Sequence, residues 1–283
     1  MTDVAVYGTD GVLAGGSDTS ARIVVGGGGA GGNVAAALGS LGTAVGLVAR
    51  VGADEAGRAA LRSIDGTGAV VYGQIDPAVA TGTVVALVDA TGERTMLTDR
   101  GANRNLAHDD LPDHWFRAGA HLHLSGYAVF DEPARTAATA ALRRAATASM
   151  TISVDPASWA PLRAFGAERF LALTSAAQLC LPNAAEARAL TGVDDPAAAA
   201  RRLADHYGTA VVTCGADGAV WSDGDTVRHR AAGPAEVVDT TGAGDAFTAG
   251  YLAATVDGAS PDRALAAAVA TAAEVVAAAG ARQ

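Results

Sequence analysis

Residues 178–214 read QLCLPNAAEARALTGVDDPAAAARRLADHYGTAVVTC, and this stretch decides the fold class. Gln178–Leu181 and Ala210–Cys214 are short apolar runs with the character of strands. Between them, Ala184–Thr191 and Pro196–Tyr207 read as helices. Asn183 precedes the first, with Glu186 three residues on, the spacing of a capping box. Asp195-Pro196 opens the second with an N-cap residue and a proline at the first helical position. The same alternation runs outward in both directions. His121–Leu124 and Thr151–Val154 are further strands. Pro133–Ser149, Asp245–Val256 and Pro261–Ala279 are further helices, the last opened by Ser260-Pro261. Alternation of this kind predicts an α/β fold with a mainly parallel sheet flanked by helices. Its ligand crevice lies beyond the carboxyl ends of the strands. The first hundred residues differ and read as β-rich. Ala21–Val25 is a short strand, and Thr83–Asp89 and Glu93–Thr98 flank the turn Ala90-Thr91-Gly92 as a hairpin.

Composition narrows the chemistry. The 20 basic residues are all arginine, and there is no lysine. That excludes a Walker A phosphate loop, a protein-kinase phosphate clamp and Schiff-base chemistry, each of which needs a lysine. A net charge of −10 argues against nucleic acid or an anionic membrane as a partner. Cys180 and Cys214 sit in apolar, strand-like runs and read as reduced thiols. No signal peptide or membrane span is visible, so the expected location is the cytoplasm.

The chemistry concentrates in Asp239-Thr-Thr-Gly-Ala-Gly-Asp245-Ala-Phe247. The small residues Gly242, Ala243 and Gly244 precede a helix, whose N-terminus brings unpaired N–H groups and partial positive charge. Such a turn holds an anion, with Asp245 in the first helical turn beside it. An anion hole next to a carboxylate suits phosphoryl transfer. Read as a carboxylate pair for glycoside hydrolysis, Asp239 and Asp245 would need a sugar between them, where the anion hole argues for phosphate.

Most of the other motifs have more than one reading. Gly26–Gly32 with Asn33 is a glycine-dense turn before a helix, Val34–Leu41. It is either a flexible turn, a ligand-facing backbone, or a nicotinamide fingerprint at Gly27, Gly29 and Gly32 with Asp54 downstream. Asn183 and Glu186 are either a helix cap or groups that face a phosphate-bound Mg²⁺ through its waters. Thr213, Gly215 and Gly218 form either a plain β-turn or a nucleotide-phosphate contact. His121-x-His123 shares one strand face but lacks a third ligand for zinc. Asp54-Glu55, Asp109-Asp110 and Asp194-Asp195 read as solvated or capping carboxylates.

Together these motifs resemble the ribokinase-like sugar kinases of phosphofructokinase-B type, over nearly the whole chain. The C-terminal signature is Asp239–Phe247. The N-terminal one is Gly28-Gly29-Ala-Gly-Gly-Asn33-Val-Ala, followed by Gly52-Ala-Asp54-Glu-Ala-Gly57. Asn183…Glu186 matches the N-x-x-E motif, and Thr213, Gly215 and Gly218 match the T-x-G…G element. The resemblance implies one kinase domain over residues 1–283, with a Rossmann-like core and a small β-sheet lid near residues 4–25 and 70–101. It implies transfer of the ATP γ-phosphoryl to a hydroxymethyl group of a sugar or sugar-like substrate. Asp245 would be the base, and Gly242, Ala243 and Gly244 the anion hole. Asn183 and Glu186 would organise Mg²⁺ and phosphates. Thr213, Gly215 and Gly218 would touch the nucleotide, and Gly28, Gly29 and Asn33 the sugar. Asp239 and the Thr241 carbonyl would belong to a monovalent-cation site, for K⁺. A homodimer through the lid is a further implication.

Two departures stand out. Asp3 falls where the family's G-D-x-x-x-D pattern places its second, sugar-contacting aspartate, but the core strand before it is missing. A form extended upstream by roughly ten residues is expected to be more stable, because a missing buried strand leaves its neighbour's ladder unpaired. The alternative is that Asp3 is a disordered terminal residue. Second, ribokinase carries a sugar-contacting glutamate where this chain has His123-Leu-Ser-Gly-Tyr127, which weakens ribose as substrate. Arg100-Gly-Ala-Asn103 would suit an acidic sugar such as 2-keto-3-deoxygluconate, or is a hinge turn. Two other function classes stay open: a catalytically impaired sugar or nucleotide sensor on the same fold, and a nicotinamide oxidoreductase.

Overall fold

Strands of six to eight residues dominate the N-terminal part, and shorter strands alternating with helices follow it. The computed structural model describes residues 1–8, 15–89, 94–233 and 240–277. The chain forms two compact units. One comprises Met1–Asn105, Ala235–Asp245 and Glu274–Gln283, and the other Leu106–Pro234 and Ala246–Ala273.

In the first unit, β1 (Thr2–Tyr7) and β2 (Arg22–Gly27) lead into helix α1 (Ala30–Ser40). Then come β3 (Gly46–Gly52), α2 (Glu55–Arg62), β4 (Val70–Asp76), β5 (Thr81–Val88) and β6 (Arg94–Gly101). Four strands form one sheet in the order β2-β1-β5-β6. β1 runs antiparallel to β2 and parallel to β5, and β5 and β6 pair antiparallel as the hairpin expected there. The connecting turn at residues 90–93 lies outside the described residues.

Two expectations are corrected here. Asp3 is not a loose terminal residue: it lies within β1, opposite Gly26 and Val84. The stretch 70–76, expected to belong with the hairpin, instead pairs with β3 as a parallel two-stranded sheet, Gly46 opposite Val70. The cause is the intervening helix. α2 carries the chain back so that β3 and β4 run the same way, as a parallel pair requires, and Leu61 of α2 lies against Gly73 of β4.

Asp54 ties these pieces together. It caps α2 by accepting from Gly57 N at 2.7 Å, and also accepts from Thr81 N at 2.8 Å and Thr81 Oγ1 at 2.6 Å. The Thr81 hydroxyl, then its amide and that of Gly57, hold the carboxyl below its ordinary range. The capping reading of Asp54 therefore holds, and the carboxylate that a nicotinamide ribose would need is already engaged.

In the second unit the chain builds β7 (His121–Ser125), α3 (Tyr127–Phe130), α4 (Ala134–Thr147), β8 (Thr151–Asp155), α5 (Trp159–Phe165) and α6 (Ala167–Thr174). It continues through β9 (Leu179–Cys180), α7 (Ala184–Thr191), α8 (Pro196–Tyr207), β10 (Thr209–Thr213), β11 (Ala219–Ser222) and β12 (Val227–Arg230). Helices α9 (Ala243–Val256) and α10 (Pro261–Val276) complete the elements. The sheet has six strands in the order β12-β11-β10-β9-β8-β7. β7 to β10 are parallel, and β11 and β12 add an antiparallel edge. Ile152, Val154, Ala210, Val211 and Val212 are fully buried in its centre. α8 buries Ala199, Ala200, Leu203, Ala204 and Tyr207, a stripe at helical spacing. Among the described residues no helix is long and apolar enough to cross a membrane.

Candidate active site

In the first unit the glycine turn after β2 brings together residues that the sequence separates. Gly28 N donates to Met1 O at 2.9 Å. A side chain on Gly28 would overlap the Asp3 carboxylate. Glycine is therefore what lets Asp3 lie against the turn, and the expected substrate residues Asp3 and Gly28 are in contact. Gly29 is the N-cap of α1, with φ 88°, and as glycine it makes no side-chain cap hydrogen bond. One turn later, Asn33 is 7% exposed. Its Nδ2 donates to Asp245 Oδ2 at 2.7 Å.

Asp245 stands in the first turn of α9. Gly242, at φ 79°, turns the chain into the helix, and Ala243 N donates to Thr240 O at 3.2 Å. Gly244 is exposed, with open space where a side chain would lie. The first turns of α1 and α9 thus meet at the Asn33–Asp245 bond. Asp245 lies in the first turn of α9, where a helix end carries surplus N–H groups and partial positive charge. Such a helix end receives an anion.

Arg100 is the last residue but one of β6, and Asn103 lies in the 3₁₀ turn Ala102–Asn105. Ala102 N donates to Ala80 O at 2.8 Å, and Gly101 packs under the same carbonyl. The backbone here is a pinned turn, in keeping with the turn reading of this segment. Thr241 is half-buried next to Gly242, while Asp239 lies outside the described residues. The monovalent-cation expectation goes no further on these observations.

In the second unit, Asn183, Glu186, Thr213, Gly215 and Gly218 gather at the carboxyl ends of β9 and β10. Thr213 N donates to Pro182 O at 3.0 Å, and Asn183 and Thr213 form a parallel bridge. Asn183 and Glu186 make the full capping box. Glu186 N donates to Asn183 Oδ1 at 2.9 Å, and Glu186 accepts from Asn183 N at 2.9 Å and Nδ2 at 2.7 Å. Glu186 is 4% exposed while Asn183 is exposed. The cap and a ligand role are compatible: the buried carboxylate fixes the exposed amide at the strand end. The two glycines of the neighbouring turn separate in function. Gly215, at φ 58°, faces open space, whereas a side chain on Gly218 would overlap the Arg230 carbonyl. Gly218 is therefore a packing glycine, and Gly215 is the one with room for a ligand.

A cavity of about 510 Å³ adjoins this turn. His229, Arg230, Ala231 and Gly233 form one side, and Ala266, Val269, Ala270 and Ala273 of α10 the other. His229 Nε2 lies 3.0 Å from Asp217 O, within the same turn. Sequence reading missed this cleft, since an alanine stripe on a helix carries no chemical signal of its own. A second cavity, about 500 Å³ among α6, α7 and α8, is lined by none of the signature residues.

Among the described residues no group of three His, Cys, Asp or Glu side chains is placed to hold a metal ion. The two strand histidines bond to hydroxyls instead. His121 contacts Thr151 Oγ1 and Ser153 Oγ, both at 2.7 Å, and His123 contacts Ser153 Oγ at 2.8 Å. Mg²⁺ needs no all-protein cage, because it keeps several waters and takes one or two carboxylates plus substrate phosphates. The hard oxygens of Asn183 and Glu186 fit that requirement. Cys180 is buried and Cys214 half-buried, both free, and burial pushes both thiols up.

The chain matches the family described as pfkB family carbohydrate kinase over residues 1–283. It belongs to this family. A fructokinase from Klebsiella pneumoniae is 34% identical over 251 residues, which is 83% of this chain and 79% of that relative. The structure of adenosine kinase from Sinorhizobium meliloti matches with TM-score 0.87 and 26% identity, over 94% of this chain and 81% of that chain. Aminoimidazole riboside kinase from Salmonella enterica, complexed with aminoimidazole riboside and an ATP analogue, matches with TM-score 0.80 and 26% identity, over 99% and 92%. The chain is an ATP-dependent sugar kinase with the ribokinase-type α/β fold. Within the family it falls among sugar and nucleoside kinases.

Proposed function

We propose that the chain transfers the γ-phosphoryl of ATP to a hydroxymethyl group of a sugar or sugar-like substrate, with Asp245 as general base. The observation that carries this is the placing of Asp245: a half-buried carboxylate in the first turn of α9, directly after the open Gly242–Gly244 turn. Asp245 takes the proton of the attacking hydroxyl. The hydroxyl oxygen bonds to the γ-phosphorus as the bond to the β-phosphate oxygen breaks, and ADP leaves. N–H groups of Gly242 and Gly244 receive the charge on the moving phosphoryl, while Ala243 N, expected to join them, donates to Thr240 O and holds the turn. Asn183 and Glu186 would hold the Mg²⁺-bound phosphates through water, and Mg²⁺ when bound would supply charge neutralisation at the phosphate oxygens. Thr213 and Gly215 contact the nucleotide, and its base lies in the cleft between His229–Gly233 and the alanine face of α10.

Asp3, Gly28, Gly29 and Asn33 form the substrate side. Fructose, adenosine and aminoimidazole riboside, the substrates named for similar kinases, mark out the candidates. Arg100 and Asn103 add acidic sugars to them. ADP release with ATP·Mg²⁺ against a panel of sugars, sugar acids and nucleosides tests the reading. Turnover on one class is expected, and a folded protein that binds ATP but turns over none would favour a sensor.

The four-stranded sheet is the lid in this reading, and it also supports a homodimer. Its register aligns Val25, Val4, Val85 and Leu97 in one row, and Ile23, Val6 and Leu87 in a second row on the same face. Ile23 is 61%, Val25 65% and Leu97 59% exposed. A second copy of the chain covers this apolar face. Sedimentation of the wild type and of Leu97→Glu checks it: a dimer that becomes a monomer is expected, and a wild-type monomer overturns it.

A further inference from the structure

The sequence assigned Asn33 to the sugar, yet its amide nitrogen is bonded to the catalytic carboxylate. We propose that Asn33 is a positioning residue, whose amide fixes the orientation of the Asp245 carboxylate by donating to Oδ2. The inference rests on the reading of Asp245 as the base.

Three observations support it. The 2.7 Å length is that of a charge-assisted hydrogen bond. An ionised carboxylate only accepts, so the amide must turn its NH₂ toward it. The donor is held firmly: Asn33 is 7% exposed, and its own N–H donates to Gly29 O at 3.0 Å within α1. Because Asn33 follows the Gly28–Gly29 turn that meets Asp3, any ligand that shifts that turn also moves the base.

The test is a carboxyl ¹³C NMR titration of Asp245 in the full chain, comparing wild type, Asn33→Ala and the isosteric Asn33→Asp. Losing a donor to the charged form raises a carboxyl pKa by about one unit, and a neighbouring carboxylate raises it further. The expected order of Asp245 pKa is wild type, then Asn33→Ala, then Asn33→Asp. The acidic limb of kcat/KM should move with it, while KM for ATP stays unchanged. A merely structural role would lower the melting temperature without moving the titration. An Asp245 pKa equal in all three proteins overturns the proposal. If Asn33→Ala does not fold, the isosteric variant alone decides. If the wild type turns over no substrate, the kinase reading fails, and the titration still decides the role of Asn33.

Discussion

Asn33 and Asp245 stand 212 residues apart in the chain and share a 2.7 Å hydrogen bond. Each lies in the first turn or so of its helix, and each helix follows a glycine-rich turn. The two most chemically suggestive motifs of the sequence therefore form one local structure, in which an amide of α1 bonds a carboxylate in the first turn of α9.

The contact between Asp3 and Gly28 makes opposite forecasts for two nearby glycines. Gly28→Ala forces its methyl into the Asp3 carboxylate and should destabilise by about 1–3 kcal/mol, with a higher KM for the sugar. Gly31→Ala meets only Leu47 Cδ1 at 3.8 Å, inside α1, and should stabilise by about 0.5–1 kcal/mol. Urea midpoints of the two variants check the difference in sign.

Gly215 and Gly218 should divide between ligand and packing. Gly218→Ala, beneath the Arg230 carbonyl, should cost several kcal/mol of stability, at the upper end of ~1–3 kcal/mol or beyond. Gly215→Ala, in open space, should cost only ~1 kcal/mol for its left-handed backbone yet raise KM for ATP. Thermal melts combined with ATP titrations distinguish the two effects.

The histidine pair should impose an acid-side stability slope. Burial holds His121 at about 4 and His123 at about 3, against an ordinary 6.5. As pH falls below 6.5 the unfolded chain takes up these protons and the folded chain does not, so stability falls with pH until the folded values are reached. Above pH 7 the pair contributes no slope. The double variant His121→Gln, His123→Gln should lose this part of the decline between pH 6.5 and 4 in melting temperature, and an unchanged decline would refute the assignment.

The parallel core was legible where caps and apolar runs agreed. Asn183 and Asp195-Pro196 announced α7 and α8, and Thr151–Val154 and Ala210–Cys214 announced β8 and β10 within a residue or so. The β3–β4 pair was not legible. Its strands carry Arg50 and Asp76, 3.7 Å apart, and partly buried charges hide a strand from any apolar pattern. The capping role of Asp54 was readable, but its tie to Thr81, 27 residues on, was not. Local patterns report periodicity and caps, whereas the Asn33–Asp245 pair exists only after the chain has folded. The family resemblance gives Asn33 to the sugar, and its bond to Asp245 can be read only from the folded chain.

The most direct measurement is kcat of Asp245→Asn beside the wild type, with ATP·Mg²⁺ and the substrate found in the panel. General-base help is worth roughly 10²–10⁴-fold, so turnover should fall by at least ~10² while the substrate KM changes little. Near-full turnover in the variant would contradict the account of this site.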